Sequence, residues 1–224
     1  MKIFENIIKT GDLVFDVGSN MGEKSEIFIG LGSKVIGFEP QSECYKSTLS
    51  KFNGNPNFIG ENVGLDKKVG KETMYIASYH TISSMSEKFI EESKKERFTD
   101  YNWDNKREID TDTLDNMISK YGKPKFIKID VEGYELNVLE GLSDQIDYIS
   151  VEFNPELCDV TVSCIEYIDN LNNGNTSFNY GYRNDEDFKY ENWVSKDEII
   201  KYLESVNDFK FEFGDVYCKK MESL

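Results

Sequence analysis

Asp16, Gly18, Asn20 and Gly22 follow one another at two-residue spacing behind the apolar residues Val14 and Phe15. An acid, a glycine turn and a helix start form a ligand-binding sequence, because glycine lets the backbone turn sharply or approach a ligand closely. The spacing predicts a helix from near Asn20, whose unpaired backbone N–H groups point above the strand ends and suit a carboxylate or a phosphate. Glu39 follows Gly18 by 21 residues, close to the ~20 expected of an acid that accepts hydrogen bonds from ribose hydroxyls. The chemistry indicated is the binding of a nucleoside-containing cofactor.

The glycine pattern narrows the choice of cofactor. A dinucleotide site of the form G-x-G-x-x-G needs its second glycine for close approach to a pyrophosphate, and Asn20 occupies that position here. S-adenosylmethionine has no phosphate; its amino-acid end asks for a carboxylate site at the helix start and an acid near its ammonium, and Asp16 is placed to be that acid. The plain alternative is a strand-turn-helix of an α/β sheet with Asp16 as a cap, and a short motif alone supports both.

Composition excludes several classes. The chain has 224 residues, with 26 basic against 42 acidic side chains and a formal net charge of -16. That balance argues against nucleic acid as the main partner, since such binding rests on basic clusters that release counterions. No run approaches the ~18 apolar residues of a membrane span, and Met1 to Thr10 reads as a short amphipathic helix without the apolar core of a leader; the cytoplasm is the expected location. Cys44, Cys158, Cys164 and Cys218 form no C-x-x-C pair and the single histidine is His80, so no zinc cluster and no Ser-His-Asp or Cys-His catalysis is expected.

Alternating elements must carry these residues. Strands are predicted over 13–17, 34–38, 57–61 and 147–153, with an edge strand or hairpin arm over 69–77 and a buried central strand over 125–130. Helices are predicted over 20–31, 41–52, 113–121 and 134–142. Ser195 to Glu198 has the spacing of a capping box and opens a helix to Val206. Gly214-Asp215 signals a hairpin between strands 210–213 and 216–219. The charge run Glu91 to Arg97 is expected to be a solvated helix face, and the polar stretch Asn170 to Asn179 a loop. The alternation implies a mostly parallel sheet with helices on both faces and one antiparallel strand, with ligand at the carboxyl ends of the strands.

F-D-V-G-S-N-M-G with G-F-E-P, then T-L-D at Thr113 to Asp115 and K-I-D-V-E-G-Y-E at Lys128 to Glu135, strongly resembles the FkbM family of S-adenosylmethionine-dependent methyltransferases. The resemblance covers roughly residues 12 to 153 and implies a Rossmann-like class I methyltransferase fold of seven strands in a single domain. It also implies that Asp16, Gly18, Asn20 and Gly22 hold the methionine end of the cofactor, and that Glu39 takes both ribose hydroxyls with Pro40 walling the adenine. Asn62 and Val63 lie where members of the fold contact the adenine edge. Asp130 and Glu132 match the acidic pair of the fourth block. Ser19 and Met21 replace commoner small and aliphatic residues.

Methyl transfer to a hydroxyl needs an acceptor oxygen held in line with the methyl group and gains from a base within hydrogen-bond reach. Asp130, Glu132 and His80 are the candidates. Asp130 has three possible uses: orienting the acceptor, holding the cofactor, or ligating a divalent ion with Glu132; no metal is assigned. The bland alternatives are a helix N-terminal acid for Glu132 and a solvated loop residue for His80. Substrate-side insertions are expected at about 78–107 and 154–194, where Trp103, Trp193, Tyr180, Tyr182, Phe188 and Tyr190 lie among Asp185, Glu186 and Asp187; these aromatics either bind a sugar or pack a lid onto the sheet. The expected activity is O-methylation of a hydroxyl on a glycan or small metabolite. Alternatives are an NAD(P)-type oxidoreductase, which Asn20 disfavours, and a non-catalytic cofactor-binding module.

Overall fold

A computed structural model describes residues 2–95, 97–182, 187–206 and 213–222. Its main sheet has seven strands in the order β3-β2-β1-β7-β8-β10-β9. These are β1 (Leu13–Val17), β2 (Lys34–Phe38), β3 (Phe58–Glu61), β7 (Phe126–Ile129), β8 (Tyr148–Phe153), β9 (Thr176–Tyr182) and β10 (Gly214–Lys220). The pairs β1–β2, β2–β3, β1–β7 and β7–β8 are parallel, and β10 runs antiparallel to both β8 and β9. Strand order reverses between β1 and β7, which makes their carboxyl ends the place where an open α/β sheet takes its ligand.

The central strands read as apolar runs because both of their faces are covered. Val14, Val35, Phe126 and Tyr217 pack with Ile3, Phe4 and Ile7 of helix α1 (Lys2–Ile7) and Phe28 of α2 (Glu23–Gly30). Their neighbours Phe15, Ile36, Ile127 and Cys218 face the opposite layer, with α5 (Leu114–Tyr121), α6 (Glu135–Leu139), α7 (Cys158–Leu171) and α8 (Lys196–Ser205). The remaining helices are α3 (Ser42–Lys51) and α4 (Glu87–Ser93). A second sheet, ordered β4-β6-β5, joins β4 (Gly64–Leu65), β5 (Gly70–Ile76) and β6 (Asn105–Asp112). Among the described residues no helix is long and apolar enough to cross a membrane.

Several sequence expectations move. Helix α2 begins at Glu23, three residues later than the spacing predicts, because Asn20 (φ 47°) and Gly22 (φ 73°) hold the backbone in the left-handed region first. Gly214 and Asp215 lie inside β10, opposite Phe153 and Glu152 of β8, and so are not a turn; of the strand expected over 210–213, residues 210–212 fall outside the described residues. The partner of β10 is instead β9, which takes up part of the stretch expected to be a loop at 170–179. With α7, β9 also makes much of 154–194 part of the layered core and not an insertion. The capping box at Ser195 and Glu198 is present, with both reciprocal bonds formed. The charge run is not a solvated face throughout, since the side chain of Arg97 is buried in an ion pair with Glu156 at 3.1 Å.

Candidate functional site

A cavity of about 490 Å³ opens over the carboxyl ends of β1, β2, β7 and β8 and is lined by Asp16, Gly18, Asn20, Glu39, Pro40, Val63, His80, Asp130 and Glu132. Two of the residues singled out in the sequence do not line it. Gly22 faces α3, where a Cβ would come within 2.7 Å of Phe52 and 2.9 Å of Thr48. The Asn62 amide turns back to donate to the carbonyls of Glu39 (2.8 Å) and Pro40 (3.1 Å), bracing the loop after β2.

One wall is built by the loop after β1. Gly18 and Ser19 donate their N–H groups to the Phe38 carbonyl, each at 3.0 Å, and so bind the β1 loop to β2. On its other side the loop meets β7: Asp130 N donates to Val17 O at 3.0 Å, and a Cβ on Gly18 (φ +79°) would stand 1.8 Å from the Asp130 carbonyl. Only glycine allows that crossing. Asn20 does not open the helix; its N–H donates to Glu39 Oε2 at 2.9 Å, while Gln41 N donates to Oε1 at 2.7 Å. Glu39 is 3% exposed, and burial raises its pKa to about 7 against the pull of the Gln41 and Asn20 N–H groups.

Asp16 is 1% exposed and accepts a hydrogen bond from Ser25 Oγ at 2.6 Å. Burial raises its pKa, opposed first by the charge of Lys128. Lys128, inside the apolar strand β7, is itself 2% exposed and places its Nζ 2.6 Å from Asp130 Oδ2. Burial disfavours its charge, but Asp130, Asp215 and Asp16 together outweigh burial and raise its pKa.

The far wall is acidic. Carboxylate oxygens of Asp130, Glu132 and Glu152 all lie within 4.8 Å of one another, a spacing at which hydroxyl or amine donors, or a divalent cation, could be shared. Burial raises the pKa of Glu152 well above the ordinary carboxylate range, reinforced by Asp130, Glu132 and Glu135 and opposed by Arg97. Glu152 Oε2 accepts from Asn154 Nδ2 at 2.8 Å, and Asn154 is in turn bonded by the Arg97 guanidinium. Glu132 sits at φ 55°, its carbonyl held by Ser84 Oγ at 2.6 Å. The acid that satisfies backbone N–H groups beside α6 is Glu135, which accepts from Gly133 (3.0 Å) and Val131 (3.2 Å), so Glu132 is not used up as a helix-start acid. His80 opens a single 3-10 turn on the cavity wall; its carbonyl accepts from Gln41 Nε2 at 3.1 Å, and its Nδ1 is buried without a partner among the described residues.

The six aromatic residues named from the two expected insertions, Trp103, Tyr180, Tyr182, Phe188, Tyr190 and Trp193, pack and do not line the cavity. Trp103 is 6% exposed and donates to the Ile82 carbonyl at 2.7 Å. Trp193 and Phe188 meet with ring centres 5.2 Å apart, and Tyr180 is buried between Phe153 and Tyr202. Asp185 and Glu186 lie outside the described residues. The exposed aromatic at the cavity is Tyr79, whose ring lies 5.2 Å from that of His80. Ser25, Lys128, Glu152 and Asp215 are site residues that sequence reasoning passed over. For Lys128 a signal existed, a lysine in the middle of an apolar strand. Glu152 and Asp215 face each other only through the β8–β10 pairing, which the local sequence does not announce.

Comparison with known proteins bears on the family and the fold. The description "Methyltransferase FkbM domain" matches residues 16–211. Among solved structures, the methyltransferase FkbM from Methylobacillus flagellatus KT aligns with a TM-score of 0.55 at 16% identity, over 94% of this chain and 44% of that one. The chain thus spans less than half the length of that structure. A precorrin-6y C5,15-methyltransferase from Geobacter metallireducens GS-15 aligns with a TM-score of 0.50 at 9% identity, over 96% and 82% of the two chains. An rRNA methylase from Streptococcus thermophilus aligns with a TM-score of 0.50 at 11% identity, over 97% and 91%. No curated protein matches.

Proposed function

This chain belongs to the FkbM methyltransferase family, with S-adenosylmethionine as cofactor, and from that premise we propose that it methylates a hydroxyl of a sugar, glycan or related small metabolite. The observation that carries the reading is the pairing of Asp16 and Glu39 at the ends of adjacent strands on one cavity, opposite the carboxylates of Asp130, Glu132 and Glu152. The residues fit the cofactor. Each Glu39 oxygen is steadied by one backbone N–H, which leaves acceptor capacity on both for two neighbouring hydroxyls. Asp16, with one oxygen engaged by Ser25, takes the ammonium. Gly18 and Asn20 supply the loop around the amino-acid end, and Pro40 and Val63 line the base side.

Bound S-adenosylmethionine supplies an electrophilic methyl group on a sulfonium. The protein's part is then to seat the acceptor and accept its proton. Asp130, with Oδ2 fixed by Lys128, orients the acceptor hydroxyl. Glu132, Glu152 and His80, which line the cavity, are the proton acceptors of this reading, and the raised pKa of Glu152 makes its ionised carboxylate a stronger base. Proximity and alignment supply most of the acceleration. The test is incubation with methyl-labelled cofactor and a panel of glycans and extracted metabolites, followed by mass spectrometry. Label on a hydroxyl oxygen supports the reading; label only on nitrogen or carbon contradicts it.

A further inference from the structure

Lys128 takes only an indirect part in the chemistry above, yet its position asks for an explanation. Its neighbours along β7, Ile127 and Ile129, are fully buried, and Lys128 is almost as inaccessible. A buried ammonium is unfavourable unless anions surround it. In register it stands opposite Asp16 on β1 and Ser150 on β8, while its Nζ reaches Asp130 Oδ2 at 2.6 Å. Asp215 on β10 adds a third negative charge to its surroundings. One buried cation therefore stands between the acid at the cofactor end of the cavity and the acid on its acceptor side.

We propose that Lys128 is a positioning residue that couples the two ends of the site, holding Asp16 and Asp130 as one electrostatic unit so that cofactor and acceptor meet two fixed carboxylates. The proposal rests on the reading that Asp16 receives the cofactor's ammonium. Without Lys128, the carboxylate of Asp16, 1% exposed, loses the cation whose charge favours its ionised form, and a buried carboxylate without that charge neutralises or turns away; Asp130, whose side chain is 34% exposed, loses the ammonium that fixes its Oδ2. Asp16 would then lose the charge and orientation that bind the ammonium, although Lys128 itself touches no part of that group.

Isothermal titration with S-adenosylhomocysteine tests this in wild type, K128M, D16N and the double variant D16N/K128M, each checked for native circular dichroism. K128M is expected to bind about tenfold more weakly or worse, as is D16N. If the two residues act as a unit, the double variant binds within about threefold of D16N. Losses that multiply would mean that Lys128 acts through general structure, and would overturn the proposal. Wild-type affinity in K128M with weakened D16N overturns the proposal and leaves the cofactor reading intact; wild-type affinity in D16N overturns both. If K128M does not fold alone, the comparison of D16N with D16N/K128M decides: equal affinity sustains the coupling, and a further tenfold loss rejects it.

Discussion

At the scale of the residue, Glu39 carries a testable pH signature. Its pKa in the folded protein, raised to about 7, stands above the ~4.3 of an unfolded glutamate. Stability from the protonated form is therefore present below the unfolded value and is lost as pH rises through about 7, an effect of up to about 3 kcal/mol. The ligand-free protein should lose more thermal stability between pH 5 and pH 8 than Glu39→Gln does, measured by differential scanning calorimetry. Binding reverses the preference, because the ionised carboxylate accepts both ribose hydroxyls. Affinity for S-adenosylhomocysteine should rise from pH 6 to pH 8 in wild type and stay flat in Glu39→Gln. Asp130→Asn should lower methyl transfer about 100-fold or more while cofactor affinity changes little; the opposite pattern assigns Asp130 to the cofactor.

Much of the site was legible in the sequence at this scale. Asp16, Gly18, Asn20, Glu39, Pro40, Val63, His80, Asp130 and Glu132 all line one cavity; except for His80, which lies in a 3-10 turn, they stand at or just beyond strand ends. The use made of each residue was less legible. Asn20 acts through a backbone N–H aimed at Glu39, a consequence of its left-handed φ that spacing alone does not reveal. Asn62 spends its amide on the β2 loop, and Glu135 takes the backbone N–H groups considered for Glu132.

At the scale of the element, the loops after β1 and β7 are a single construction. Gly18→Ala would force a Cβ to 1.8 Å from the Asp130 carbonyl at a φ of +79°, so the two loops must part. Loss of S-adenosylhomocysteine binding in calorimetry, with a lowered melting temperature, is the expected outcome. Ser195→Ala is the contrast: it removes the capping box of α8, which should cost about 1 kcal/mol in chemical denaturation without altering cofactor affinity. The boundaries of β1 and β2 match the sequence expectation because these strands are buried on both faces and end at the cavity. The other strands were harder. β6, the middle strand of the second sheet, exposes most of its polar side chains and shows no apolar alternation, and the pairing of β10 with β8 and β9 is a long-range choice that local turn residues misrepresent.

At the scale of the whole molecule, acidity and the site are related. The chain carries a formal charge of -16, and part of that excess is gathered around the cavity, where Lys128 and Arg97 are the buried counter-charges. Arg97 and Glu156, with side chains 10% and 3% exposed at 3.1 Å, pin the segment after α4 to the turn after β8. Removing one partner leaves the other buried and unpaired, so Arg97→Ala should destabilise the protein by about 3 to 5 kcal/mol in chemical denaturation.

The central claim is that the cavity over β1 and β2 takes S-adenosylmethionine through Asp16 and Glu39. Isothermal titration of S-adenosylhomocysteine and, separately, NAD into wild type and Glu39→Ala tests it most directly. The account predicts one S-adenosylhomocysteine per chain, no NAD binding, and a loss of ~1.5 to 3 kcal/mol in the variant. NAD binding by the wild type, or unchanged S-adenosylhomocysteine affinity in Glu39→Ala, would contradict it.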